Sequence, residues 1–195
     1  MLTVILVRHG KTPGNALARY IGTTDELLLE EEKERLQSIA AQFPKADRLY
    51  CSPLLRCWQT ANILYSGQEQ FLVPELRECN FGDFENKNYK ELDGNEDYQR
   101  WIDSNGMLPF PNGESREAFQ ERCCRGFLSC IRECIADGIH SPAFVVHGGT
   151  IMSILERFAV PRKSYYEWHV GNGEGYVLEI DPKDPFVCRV LRKIG

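Results

Sequence analysis

LVRHGKTPGN, residues 6–15, closes the apolar run that begins at Leu2. A buried strand ordinarily gives way to small polar turn residues, but this one delivers Arg8, His9 and Gly10 in succession. Such a strand end suits a phosphate. Arginine supplies a fixed fork of donors, and glycine lets the backbone come close to a ligand.

Working outward, strand-like runs alternate with helical stretches. LTVILV (2–7) precedes LEEEKERLQSIAAQF (29–43), and DRLYCS (47–52) precedes LLRCWQTANILY (54–65). A helix over 114–136 leads into AFVVHGG, and another helix is expected over 150–158. This order predicts an α/β fold, a three-layer sandwich whose mostly parallel central sheet carries helices on both faces. GYVLEI and FVCRVLRK read as a hairpin about residues 181–185 at one edge of the sheet. Between Glu78 and Glu114 the periodicity fails, so residues 79–113 are read as an insertion over the active site within a single domain, 1–195.

A length of 195 residues at 43% hydrophobic content supports one full core. A net charge of −5 with no basic run argues against a nucleic-acid partner, and LTVILV is too short to span a membrane. The expected location is the cytoplasm. The eight cysteines contain no CxxC spacing, and Phe119, Cys123, Phe127, Cys130, Ile131 and Cys134 recur at helical intervals. They read as small hydrophobes on a buried helix face in a reducing compartment.

In a parallel α/β sheet, ligands bind at the carboxyl ends of the strands. Three runs here end unusually: Arg8-His9-Gly10, Cys51-Ser52-Pro53 with Arg56 one turn on, and His147-Gly148-Gly149. Together they offer two imidazoles, two guanidiniums and, after Gly148, the free N–H groups of a helix start. Ser52 is expected as the N-cap of its helix, with Pro53 in the first turn. Two guanidiniums near one another call for an anion between them. The charge they supply makes a metal unnecessary, and no metal-ligand spacing is present. Gly171 to Gly175 precede a strand and read as a turn, not as a nucleotide loop. His140 belongs to a surface loop, while His169 either touches the pocket rim or serves structure.

The chain resembles the histidine phosphatase superfamily, in its phosphoglycerate mutase-like branch of small phosphatases. The resemblance runs through six ordered blocks: LVRHGKTPGN, YIGTTDELL, CSPLLRCWQTA, LRECNFGDFENK, PNGES and VVHGGTIMSIL. It departs at LLLEEEKERLQ, where the family usually has a Leu-Thr pair and a glycine entering the helix. The resemblance implies that His9 is phosphorylated, that Arg8, Arg56 and His147 hold the phosphoryl oxygens, and that Glu78 is the proton donor. It also places Thr12, Asn15 and Gly22 in the phosphate or substrate pocket, beside Gly148. No cofactor is implied. The expected activity is hydrolysis of a small phosphate monoester, with α-ribazole phosphate one candidate, and the alternatives are a phosphoglycerate mutase or a phosphate-binding module without turnover. Phe81, Phe84, Tyr89, Tyr98 and Trp101 form either a stacking wall for a ring-bearing substrate or the insertion's own small core. Arg100 and Arg116 are candidates for a substrate carboxylate or second phosphate.

Overall fold

The computed structural model describes residues 1–195. Its strands are β1 (Leu2–Arg8), β2 (Arg48–Cys51), β3 (Gln70–Leu72), β4 (Pro142–Val146), β5 (Ala159–Val160), β6 (Gly175–Asp181) and β7 (Asp184–Ile194). They form one sheet in the order β3-β2-β4-β1-β6-β7-β5. β1, β4, β2 and β3 run parallel, β6 is antiparallel to β1, and β7 is antiparallel to β6. The hairpin β6–β7 lies one strand in from the expected edge, because Ala159–Val160 pairs with Cys188–Arg189 outside it.

The helices are α1 (Pro13–Ala16), α2 (Glu30–Ile39), α3 (Leu55–Leu64), α4 (Glu96–Asp103), α5 (Arg116–Asp137) and α6 (Gly148–Phe158). Side chains of β1 alternate between two cores. Val4 and Leu6 join Phe127, Ile131, Ile151 and Leu155 of α5 and α6 on one face. Ile5 and Val7 join Leu36, Cys57 and Ala61 of α2 and α3 on the other. A strand covered on both faces is apolar along its covered length, which is why Val4 to Val7 show no polar alternation while Thr3 is exposed.

The expected helix over 29–43 is cut to α2 followed by a 3-10 turn at Ala40–Gln42. Three glutamates open α2, where the positive end of the helix dipole favours them despite the missing cap side chain. The start of α3 corrects the capping expectation. Its N-cap position is Leu54, and the Leu55 N–H is taken by the Asp25 carboxylate at 2.8 Å. Ser52 is thereby free for another bond. All eight cysteines are unpaired and buried, with Cys123, Cys130 and Cys134 in the α5 core face. No helix is long and apolar enough to cross a membrane.

Candidate active site

Adjacent parallel strands bring their carboxyl ends to one level, and the register pairs Arg8 with Val146 and Cys51 with Val145. The residues that follow are therefore neighbours. The His9 N–H donates to the Val146 carbonyl at 2.9 Å, and the rings of His9 and His147 lie edge to face with centroids 5.2 Å apart. His9 Nδ1 faces the Gly10 carbonyl at 2.7 Å. A carbonyl only accepts, so Nδ1 carries the ring proton of the neutral imidazole and Nε2 keeps its lone pair. Burial, then the charges of Arg56 and Arg8, hold His9 well below the ordinary imidazole range. His147 is held down likewise, first by burial and then by Arg56, and its Nε2 pairs with the Ser52 hydroxyl at 2.7 Å.

The turn after β1 is fixed from two sides. Thr60 of α3 accepts from the Gly10 N–H at 2.9 Å while donating to the Arg56 carbonyl at 2.7 Å. From the other side, the Gly173 N–H donates to the carbonyls of Arg8 and His9, both at 3.1 Å, and the Asn172 amide reaches the His9 carbonyl at 3.2 Å. The run from Gly171 is a turn that leads into β6 at Gly175, and it grips the strand end.

Arg56 is fully buried. Its terminal nitrogens donate to the carbonyls of Thr24 at 2.8 Å and Gly22 at 2.9 Å, but its Nε–H has no partner. Arg8 repeats the pattern, with Nη1 donating to the Val170 carbonyl at 2.7 Å and Nε unpartnered. Buried donors are almost always satisfied, and two charged ones left open beside each other and two imidazoles define a place for oxyanion acceptors. Gly148 starts α6 against this place; a Cβ there would lie 3.4 Å from Arg8 Nε.

Glu78 follows the 3-10 turn Pro74–Leu76. Its carboxyl accepts from the Cys79 N–H at 3.0 Å and the Gly149 N–H at 3.2 Å. Burial pushes its pKa up, against the opposing effect of the Cys79 bond and of Arg56. A Cβ at Gly149 would meet the Glu78 carboxyl oxygen, so a larger residue there would displace that carboxyl. Arg122 of α5 holds the stretch below through the carbonyls of Glu75 at 2.7 Å and Arg77 at 3.0 Å, and pairs with both oxygens of Glu114 at 2.9 and 2.8 Å.

Arg8, Glu78, Gly148 and Gly149 line a cavity of about 400 Å³, whereas His9, Arg56 and His147 are buried and do not belong to its lining. Aromatic rings make most of the remaining wall, among them Phe81, Trp101, Phe119 and Tyr165. Both readings of the 79–113 aromatics apply to different members. Phe84 is fully buried at the centre of the segment's own cluster with Tyr98 and Phe110, whereas Phe81 and Trp101 belong to cluster and wall alike. Tyr89 borders a smaller cavity of about 310 Å³ with Arg8, Asn15 and Asn172.

Other expected residues are placed differently. Thr12 is buried and caps α1 by accepting from the Asn15 N–H, and Asn15 in turn accepts from the Asn172 amide at 3.1 Å. Gly22 lines neither cavity; its carbonyl anchors Arg56, and a Cβ there would collide with the Cys79 carbonyl. His169 is at the rim, 3.5 Å from Arg8 Nη1. Arg116 reaches the cavity wall, whereas Arg100 is exposed and paired with Asp97. Thr60, Arg122 and Asn172 are contributors that spacing did not single out, and Ser52, expected as a helix cap, instead pairs with His147.

The sequence profile of the histidine phosphatase superfamily (branch 1) matches residues 4–192. The chain is 31% identical over 184 residues to the adenosylcobalamin/α-ribazole phosphatase of Salmonella typhimurium, covering 90% of this chain and 89% of that protein. Its fold superimposes on the α-ribazole phosphatase of Shigella flexneri with a TM-score of 0.83 at 25% identity, covering 99% and 96% of the two chains. A phosphoglycerate mutase from Thermus thermophilus gives a TM-score of 0.72 at 29% identity, covering 100% and 99%. With strand order, paired imidazoles and open guanidiniums all of one pattern, the chain belongs to branch 1 of the histidine phosphatase superfamily and is a phosphatase by class.

Proposed function

We propose that this enzyme is a metal-independent phosphomonoesterase of the cytoplasm that hydrolyses a small phosphorylated metabolite through a phosphohistidine on His9. Residues 1–195 act as one domain, with 79–113 as the cover of its site. The observation that carries the reading is the pair of buried, unpartnered Nε–H donors of Arg8 and Arg56 beside the free lone pair of His9.

In the first half-reaction His9 Nε2 attacks phosphorus, and the bond from phosphorus to the leaving oxygen breaks as the N–P bond forms. Arg8, Arg56 and His147 hold the three equatorial oxygens, where charge collects in the transition state. Glu78, whose pKa burial raises, gives its proton to the leaving oxygen. In the second half water attacks phosphorus, Glu78 takes the water's proton, and the N–P bond breaks to release inorganic phosphate. The guanidiniums supply the positive charge that a metal supplies in other phosphatases.

The aromatic wall suits an ester with a flat apolar body, and the relatives' names make α-ribazole phosphate one member of the screen. The test is phosphate release from p-nitrophenyl phosphate, α-ribazole phosphate, 3-phosphoglycerate and sugar phosphates, with His9→Ala alongside. Release by the wild type alone, unchanged by EDTA, is expected. Turnover retained by folded His9→Ala overturns the nucleophile, and loss of activity in EDTA overturns the metal-free mechanism.

A further inference from the structure

Arg116 is a second guanidinium on the cavity wall, set apart from the oxyanion cradle. It is the first residue of α5, and its contacts are Met107, Glu156 and the Tyr165 and Tyr166 rings, none of them shared with Arg8 or Arg56. The guanidinium is held 4.5 Å over the Tyr165 ring. Its polar contacts are long: Nη2 stands 3.4 Å from each Glu156 oxygen and Nη1 stands 3.8 Å from the Met107 sulfur. Glu156 spends its short bonds elsewhere, on the Gln120 amide at 2.6 Å and the Tyr165 N–H at 3.1 Å. A cation fixed in place by packing, with loosely used donors, is ready for a better acceptor.

Two further observations point the same way. Trp101, another wall residue, has a buried indole N–H with no partner. The wall itself carries two guanidiniums, Arg8 and Arg116, and one carboxyl, Glu78, whose pKa burial raises, while Glu156 lies 3.4 Å from Arg116. The apolar rings around them lower the local dielectric and strengthen attraction for an anion.

We propose that Arg116 is a second anchor that reads an acidic oxygen group on the body of the substrate, so that the preferred ester is a ring-bearing phosphate carrying a carboxylate, a group that α-ribazole phosphate lacks. The inference rests on the phosphomonoesterase reading for its phosphate end. Arg116 is a specificity residue: it touches the substrate body and takes no part in the phosphoryl transfer. A charge-assisted bond in a partly desolvated pocket is worth about tenfold or more in affinity.

Binding of phosphonates, which are not hydrolysed, isolates the effect from turnover. Calorimetry with phenylphosphonate, 3-carboxyphenylphosphonate and 4-carboxyphenylphosphonate gives the ratio of dissociation constants with and without the carboxylate. The wild type is expected to bind at least one carboxylated analogue about tenfold tighter. The ratio falls to near one in Arg116→Met, and Arg116→Lys, which keeps the charge without the fork, retains part of it. Arg116→Gln removes the charge equally well and replaces the methionine variant if that one does not fold. Equal binding of all three phosphonates by the wild type, or a preference that survives loss of the charge, overturns the second anchor. If phenylphosphonate itself does not bind, the cradle reading falls, and this inference falls with it.

Discussion

His9 and Glu78 are pushed in opposite directions by the same burial. The imidazole is pushed below its ordinary range and the carboxyl above its own, which favours the neutral His9 that attacks and the protonated Glu78 that donates. The acid limb of kcat/KM is therefore expected below the usual imidazole value of about 6.5. The alkaline limb, set by loss of the Glu78 proton, should be shallow for aryl phosphates, because a phenolate leaves without help. On the same ground Glu78→Gln should slow alkyl phosphates by about 10²-fold or more and p-nitrophenyl phosphate by less than about tenfold. Equal losses on both substrates would show that Glu78 serves binding or shape. The histidines and arginines were legible because each sits immediately after an apolar run or one turn beyond it. Ser52 stood in the same run but was assigned to a helix cap, since nothing in CSP tells whether a hydroxyl turns to its own helix or to an imidazole brought from residue 147.

One element that spacing could not reveal is the brace across the start of α5. Arg122 lies among QERCCRG, where a charge every few residues reads as the solvent face of the helix, yet it is buried against Glu114 and the carbonyls of Glu75, Arg77 and Glu78. Its partners come from a stretch without periodicity, so no pattern announces them. Arg122→Met leaves Glu114 unpaired and those carbonyls short of a donor. It should cost about 3–5 kcal/mol, read as a fall of several degrees in Tm, with kcat on alkyl phosphates falling further than on aryl ones as Glu78 loosens. An unchanged Tm would remove the brace from the account. The long helices and buried strands were legible from period and apolar content. β5 was not, because two residues at a helix end carry no period at all.

At the scale of the whole molecule, two buried neutral histidines couple stability to pH. Unfolded, His9 and His147 take up protons near pH 6.5; folded, they resist until well below it. The unfolded state thus binds more protons, and stability falls as pH drops below about 6.5, by up to about 1.4 kcal/mol per pH unit for each group. Glu78 acts with the opposite sign between its ordinary and raised values, one group against two. Urea midpoints at pH 7.5, 6.0 and 5.0 should decline in that order, and a flat series would mean that the imidazoles are not held neutral. The sheet order has a consequence for the birth of the chain. β1 lies between β4 and β6, so both of its neighbours are encoded beyond residue 141. A ribosome that has made two thirds of the protein has already released His9, but not the strands that flank it or the Asn172 and Gly173 that grip its backbone. During that interval Val4 to Val7, apolar on both faces, wait uncovered for a chaperone or for the tail still being translated.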